Sequence, residues 1–127
     1  DYIKTSARSL IYSTGLPPAS VAASIAALKL IKSDKSLAKK ALDNARYFTS
    51  LLGLPAAQSA IVPVIVKENE KALQLSARLE AQGFLVSAIR PPTVPENTSR
   101  LRFTFSASHD KSQIEAVVNI LKAEGLS

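Results

Sequence analysis

The chain has 127 residues, of which 46% are hydrophobic and 20% charged, so its composition is that of a folded globular domain. It contains no cysteine and one histidine, which excludes disulfide bonds, thiolate catalysis and zinc sites built on cysteine, and leaves His109 unable to form a metal site alone. It also contains no methionine, and we expect it to be part of a longer polypeptide.

The net charge of +6 is compatible with nucleic-acid binding, because clustered Lys and Arg side chains neutralise phosphates. The basic residues crowd only the segment from Lys29 to Lys40, where Asp34 interrupts them and no aromatic residue lies between them. Such a run more often covers a solvated helix face, so we expect no nucleic-acid partner. Apolar runs such as IVPVIV are too short to cross a bilayer and no leader segment is visible, so we expect a soluble cytoplasmic protein without a membrane partner.

The first part of the chain predicts a helical arm. Residues 1–16 begin polar and end in a short stretch that favours a β-strand, and Pro18 suits the first turn of a helix. The following sequence ASVAASIAALKLIK is apolar nearly all round, so this helix needs burial on more than one side. A second helix, which Ser33 and Asp34 are expected to cap, carries an apolar stripe as far as Gly53. We predict that residues 1–55 form a linker strand and a helical arm that pack on a large domain or a partner subunit.

The second part, residues 56–127, changes to short strands and shorter helices. Strands are predicted at Ala60–Val66, where Pro63 favours an edge position, at Phe84–Ile89 and around the alternating sequence LRFTFS. Helices are predicted after Asn69, as a cap, and after Asp110, which forms a capping box with Gln113. The order β-α-β-β-α predicts a small open α/β sheet with helices on one face.

Two polar sites are candidates for ligand binding. Ser13 and Thr14 precede a helix start, where hydroxyls and backbone amides either hold an anion such as phosphate or only cap the helix. Arg90 follows an apolar strand and begins a proline-rich loop, so its guanidinium is well supported for bidentate binding of a carboxylate, with the Thr93 hydroxyl beside it. The alternative is that Arg90 forms an ion pair with Glu96.

Three strings carry a family resemblance: SLIYSTGLPPASVAASIAAL, QSAIVPVIV and GFLVSAIRPPTVPENTSRLRFTFSASH. They resemble the C-terminal third of the 8-amino-7-oxononanoate synthase family, in the α-oxoamine synthase group of fold-type I pyridoxal-phosphate (PLP) enzymes. The most specific is AIRPPTVP followed by SRLRFTFSA, which separates the chain from the related 5-aminolevulinate and 2-amino-3-ketobutyrate enzymes. The fold implied is the C-terminal small domain of a fold-type I PLP enzyme.

The resemblance implies a homodimeric transferase that uses PLP to condense L-alanine with a pimeloyl thioester, with loss of CO2, in biotin synthesis. The thioester carrier is coenzyme A or an acyl carrier protein. Arg90 is then expected to bind the alanine carboxylate with Thr93 nearby, and Thr14, together with Ser13, to reach the PLP phosphate of the neighbouring subunit. The family's Schiff-base lysine lies upstream, so we expect no catalytic residue in this chain and no activity from the chain alone.

Three alternatives stay open at this point. The chain resembles other α-oxoamine synthases, such as the 2-amino-3-ketobutyrate CoA ligase type, in much of its length. It is also compatible with a free-standing β-α-β-β-α module that binds a small anion, in which Arg90 and Thr14 are unrelated in space. The third alternative is a basic nucleic-acid-binding domain, which requires tight and salt-sensitive binding to DNA or RNA.

Overall fold

The computed structural model describes residues 1–8 and 15–126. By their contacts, the residues divide into two compact units, Asp1–Asp34 and Lys35–Ser127. The elements, numbered here in chain order, are α1 (Tyr2–Ser6), α2 (Pro18–Ser33), α3 (Ser36–Leu51), β1 (Ile61–Lys67), α4 (Asn69–Ala81), β2 (Ser87–Ile89), β3 (Ser99–Thr104) and α5 (Lys111–Ala123).

The first unit consists of α1 and α2. Helix α2 begins at Pro18, as predicted, because the missing proline N–H would have no partner in the first helical turn. None of its residues is buried, and five large aliphatic side chains are exposed along it: Val21, Ile25, Leu28, Leu30 and Ile31. The predicted linker strand falls largely on residues 9–14, which lie outside the described residues.

The second unit is built on a sheet of three antiparallel strands in the order β1-β3-β2. Strand β1 lies at an edge, as Pro63 predicted, since a proline cannot donate a ladder hydrogen bond. Alternate residues of β1 and β3 are buried, and the helices pack on that face. The predicted β-α-β-β-α order and the helices on one face are therefore confirmed.

Helix α3 contributes the centre of the core. The Phe48 ring is fully buried and lies 4.7 Å from the Phe103 ring and 5.1 Å from the Phe105 ring, measured between centroids. The Asn44 side-chain amide donates to the backbone carbonyls of Ser106 and His109, both at 3.0 Å, which fixes the turn after β3 against the helix. Helix α3 thus belongs with the sheet, although the sequence had placed it in the arm of residues 1–55.

Strand β2 is shorter than the predicted Phe84–Ile89, because the backbone of residues 84–86 bonds to α4 instead of β3. The Phe84 N–H donates to the Leu79 carbonyl at 2.9 Å, and the Ser76 hydroxyl donates to the Val86 carbonyl at 2.5 Å. These bonds remove the first half of the segment from the ladder, so only Ser87–Ile89 pairs with β3.

The helix starts also differ in detail from the prediction. The N-cap of α4 is Glu68, and the Asn69 side chain accepts a hydrogen bond from Ser99 instead of capping. The N-cap of α3 is Lys35 instead of Ser33 or Asp34. At α5 the predicted capping box is confirmed, because the Asp110 backbone N–H donates to the Gln113 side chain at 3.0 Å.

We predict that Phe48→Ala lowers the free energy of unfolding by about 3–5 kcal/mol, because it leaves a cavity between α3 and β3. Chemical denaturation measures this change. Leu85→Ala is the control, since the Leu85 side chain is 89% exposed and its truncation is expected to cost no more than about 0.5 kcal/mol. Equal effects of the two variants would contradict the assignment of Phe48 to the centre of the core.

A second prediction concerns Tyr47, whose hydroxyl donates a short hydrogen bond to Glu115 across α3 and α5. This bond, with desolvation and the charge of Glu115 in support, raises the pKa of the phenol above its ordinary value of 10.0. The contribution to stability is therefore fully present below pH 10 and is lost as the pH rises through the folded-state pKa.

Ultraviolet titration of the tyrosines tests this assignment. Glu115→Ala is expected to lower the pKa of Tyr47 towards its ordinary value, and Tyr47→Phe identifies the signal that belongs to this residue. A Tyr47 titration that Glu115→Ala leaves unchanged would show that the contact is absent in solution.

Candidate functional site

The predicted site residue Arg90 lies directly after β2, at the start of a loop that leads into β3. The last ladder pair of the two strands is Ile89 with Arg100, so Arg90 is the first residue beyond the sheet. Its side chain is exposed, and no ion pair or side-chain hydrogen bond within residues 1–8 and 15–126 involves its guanidinium. The ion pair with Glu96 that the sequence left open is therefore not formed, and the five N–H donors of Arg90 are available to a ligand.

The loop of residues 90–98 is held by its own backbone. The Thr93 N–H donates to the Arg90 carbonyl at 3.1 Å, so Arg90 and Thr93 share one turn. Further along, the N–H and the hydroxyl of Thr98 donate to the Pro95 carbonyl at 3.2 and 2.6 Å. Prolines fix φ, and these turns close the loop from both ends, so Arg90 projects from a stiff support.

The end of the loop is tied to the sheet and to α4. Ser99, the first residue of β3, is fully buried, and its hydroxyl donates to the Asn69 side-chain oxygen at 2.5 Å. The Arg100 Nε donates to the Thr98 carbonyl at 3.0 Å. The Ser99–Asn69 pair was not found from the sequence, because the two residues are 30 positions apart and each has an ordinary local explanation.

The other predicted site residues, Ser13 and Thr14, lie outside the described residues. Their contact with a phosphate therefore stays a prediction. The structure brings together Arg90 and Thr93 in one turn.

The single histidine has a structural role. His109 is exposed, and its Nδ1 accepts a hydrogen bond from the Ser106 N–H at 3.2 Å, while its ring lies edge-on to Phe105 at 6.2 Å. Both contacts stabilise the turn between β3 and α5. Among the described residues there is no group of three or more His, Cys, Asp or Glu side chains that suits a metal ion.

Three shallow cavities among the described residues lie beside the sheet, and Arg90 lines none of the three. One, of about 300 Å³, is mainly apolar and lies between residues 83–86, the end of β3 and α5, at the opposite end of β2 from Arg90. Another, of about 290 Å³, is lined by Lys67–Glu70, Glu96 and Asn97. Its three carboxylates make it a poor anion site.

No helix among the described residues combines the length and the apolar character that a membrane span requires.

Comparison with known proteins identifies similar chains. Residues 1–121 match the family model of aminotransferase class I and II. The chain is 56% identical over 121 residues to 8-amino-7-oxononanoate synthase from Methylobacterium sp. strain 4-46, an alignment that covers 95% of this chain and 32% of the relative. The chain therefore spans about a third of the length of the curated relatives it matches.

Solved structures share the fold. The crystal structure of 8-amino-7-oxononanoate synthase from Francisella tularensis is similar with a TM-score of 0.76 and 25% identity, over 98% of this chain and 38% of that one. A high-resolution structure of SPT with PLP is similar with a TM-score of 0.81 and 27% identity, over 98% of this chain and 33% of that one.

Proposed function

Because the chain belongs to the aminotransferase class I and II family, we propose that it is the C-terminal third of a PLP-dependent acyltransferase of the 8-amino-7-oxononanoate synthase type. The enzyme condenses L-alanine with a pimeloyl thioester and releases CO2, in the cytoplasm and as a homodimer. The relatives at more than 50% identity carry this name, which favours L-alanine over the substrates of the more distant serine palmitoyltransferases.

The observation that carries the proposal is the Arg90 guanidinium, which lies on a stiff loop and forms no ion pair with the described residues. An exposed arginine in this state is free to form two parallel hydrogen bonds to a carboxylate. The backbone turn that joins Arg90 to Thr93 supports a contribution of the Thr93 hydroxyl to the same anion site. Because the loop is held by prolines and backbone hydrogen bonds, little backbone conformational entropy is lost when the carboxylate binds.

The division of labour within the enzyme follows from these residues. PLP supplies the electron sink for the bond that breaks at the alanine Cα. Arg90 fixes the carboxylate, and thereby the orientation of the Cα bonds, for a cofactor that the upstream part of the polypeptide holds. The Thr14 hydroxyl, with Ser13, is proposed to reach the phosphate of the cofactor in the neighbouring subunit. The chain alone contains the binding group and no catalytic lysine, so it is proposed to be inactive.

Helix α2 is proposed to pack against the remaining two thirds of the enzyme or its partner subunit. Its exposed aliphatic residues form no core with the described part of the first unit, and a helix that is apolar nearly all round is normally covered. About two thirds of the relatives' length lies outside this chain, which supports a covering surface of that kind.

We predict that Arg90→Gln in the full-length enzyme weakens the apparent affinity for L-alanine by about 10- to 100-fold, the value expected for loss of hydrogen bonds to a charged group. Steady-state kinetics with varied alanine measure this effect. Arg102→Gln is the matched control, because Arg102 is an exposed arginine of β3 that takes no part in the loop. An unchanged alanine affinity in Arg90→Gln would refute the proposed site.

The packing of α2 is tested separately. The double variant Ile25→Asp and Leu28→Asp is expected to lower the unfolding temperature of the full-length enzyme by several degrees or to dissociate the dimer, because it places two charges in an apolar interface. Thermal unfolding and light scattering measure the two effects. Lys29→Asp with Lys32→Asp is the control on the same helix, and equal behaviour of both pairs would contradict a buried apolar face.

A further inference from the structure

We infer that the hydrogen bond between Ser99 and Asn69 positions Arg90 for carboxylate binding. The inference rests on the proposed function, in which Arg90 binds the amino-acid carboxylate. Neither Ser99 nor Asn69 is proposed to touch the substrate. Both act through the backbone that carries Arg90.

The strand register places Ser99 and Arg90 at the same end of the ladder. Strands β2 and β3 pair antiparallel, with Ser87 opposite Arg102, Ala88 opposite Leu101 and Ile89 opposite Arg100. Arg90 directly follows Ile89, the last paired residue of β2, and Ser99 directly precedes Arg100, the ladder partner of Ile89 in β3. We infer that a displacement of the start of β3 also displaces the backbone that holds Arg90, because the two residues flank the same end of the ladder.

An irregularity in β1 allows Asn69 to reach this point. Ile65 lies opposite Arg100 and Lys67 lies opposite Ser99, so β1 has one extra residue where β3 has none. Lys67 adopts a φ of 73°, and α4 begins two residues later with Asn69. Irregularities of this kind redirect a strand and the side chains near it, and here the chain turns so that the Asn69 amide lies against Ser99.

The contact joins the loop to a rigid part of the core. Ser99 is fully buried, and the Asn69 oxygen is the acceptor for its hydroxyl. Asn69 begins α4, whose Leu75 and Leu79 side chains are buried against the sheet. The start of β3, and the arginine at the same end of the ladder, are thus held by a helix that does not move independently of the core.

The chain offers a matched control. Ser76 also lies in α4, is partly buried and donates from its hydroxyl, but to the Val86 carbonyl, before the start of β2. Ser99→Ala and Ser76→Ala each remove one serine hydroxyl and one hydrogen bond to the same helix. A merely structural role predicts equal effects on the site, whereas a positioning role predicts an effect of Ser99 alone.

The experiment uses the full-length enzyme with PLP bound and measures KM for L-alanine, KM for the pimeloyl thioester and kcat. We expect Ser99→Ala and Asn69→Ala to raise KM for L-alanine by roughly tenfold with a smaller change in kcat, in the range found for groups that orient a ligand-binding residue. Asn69→Asp keeps an acceptor oxygen at the same place and is expected to retain the original KM. Ser76→Ala is expected to leave KM for L-alanine unchanged, and thermal unfolding verifies that the variants are folded.

A double-variant comparison separates this inference from the proposed function. If Ser99 acts through Arg90, Ser99→Ala adds no further rise in KM when Arg90 is already glutamine. Equal effects of Ser99→Ala in both backgrounds, or equal KM values for Ser99→Ala and Ser76→Ala, overturn the positioning role and leave the function of Arg90 intact. An unchanged KM in Arg90→Gln itself overturns the proposed site, and the positioning role with it.

Discussion

Strand β3 is the element on which the second unit depends, because it pairs with both other strands and presents its inward side chains to α3. Leu101 and Phe103 are buried on the helix face of the sheet, and the Phe103 ring contacts Phe48. Burial of these rings is the largest local contribution to the core, since each aromatic side chain removes a large apolar area from water. The loop that begins at Arg90 continues directly into β3, so the packed core restricts the movement of the candidate site.

The candidate site combines a fixed backbone with a free charge. Backbone hydrogen bonds and prolines hold the loop of residues 90–98, while the Arg90 guanidinium has no acidic partner in the described chain. An arginine committed to an internal ion pair would have to break that pair before it could bind a substrate carboxylate, which costs affinity. The unpaired state is therefore the arrangement that a binding role requires, and it disfavours a purely structural role for Arg90.

The chain belongs to the aminotransferase class I and II family, and this membership suggests a function for the loop that carries Arg90. The chain spans about a third of its curated relatives, and it is proposed to contribute a binding group on a small sheet while the chemistry is proposed to lie in the remainder. Such a division suits a reaction in which the substrate must be held in one orientation relative to a cofactor. The exposed aliphatic residues of α2 agree with this division, because the described residues of the first unit do not cover them.

Much of the fold could be predicted from the sequence, because helix and strand periodicity, prolines and caps depend on residues within a few positions of each other. The order β-α-β-β-α, the edge position that Pro63 imposes on β1, the capping box at Asp110 and the choice of Arg90 as a candidate all follow from such local patterns. The family resemblance added the reaction and the role of Arg90, and the comparisons confirm the family.

Other features depended on contacts between residues far apart in the chain. Residues 84–86 favour a strand by type, yet Ser76 and Leu79 take their backbone groups, and Asn69 has the features of a helix cap, yet its side chain bonds to Ser99. Helix α3 joins the sheet because the Phe48 ring fits between Phe103 and Phe105. In each case the residue types near the group in the sequence allow more than one hydrogen-bond or packing partner. Only the packing of the complete chain selects one of these partners.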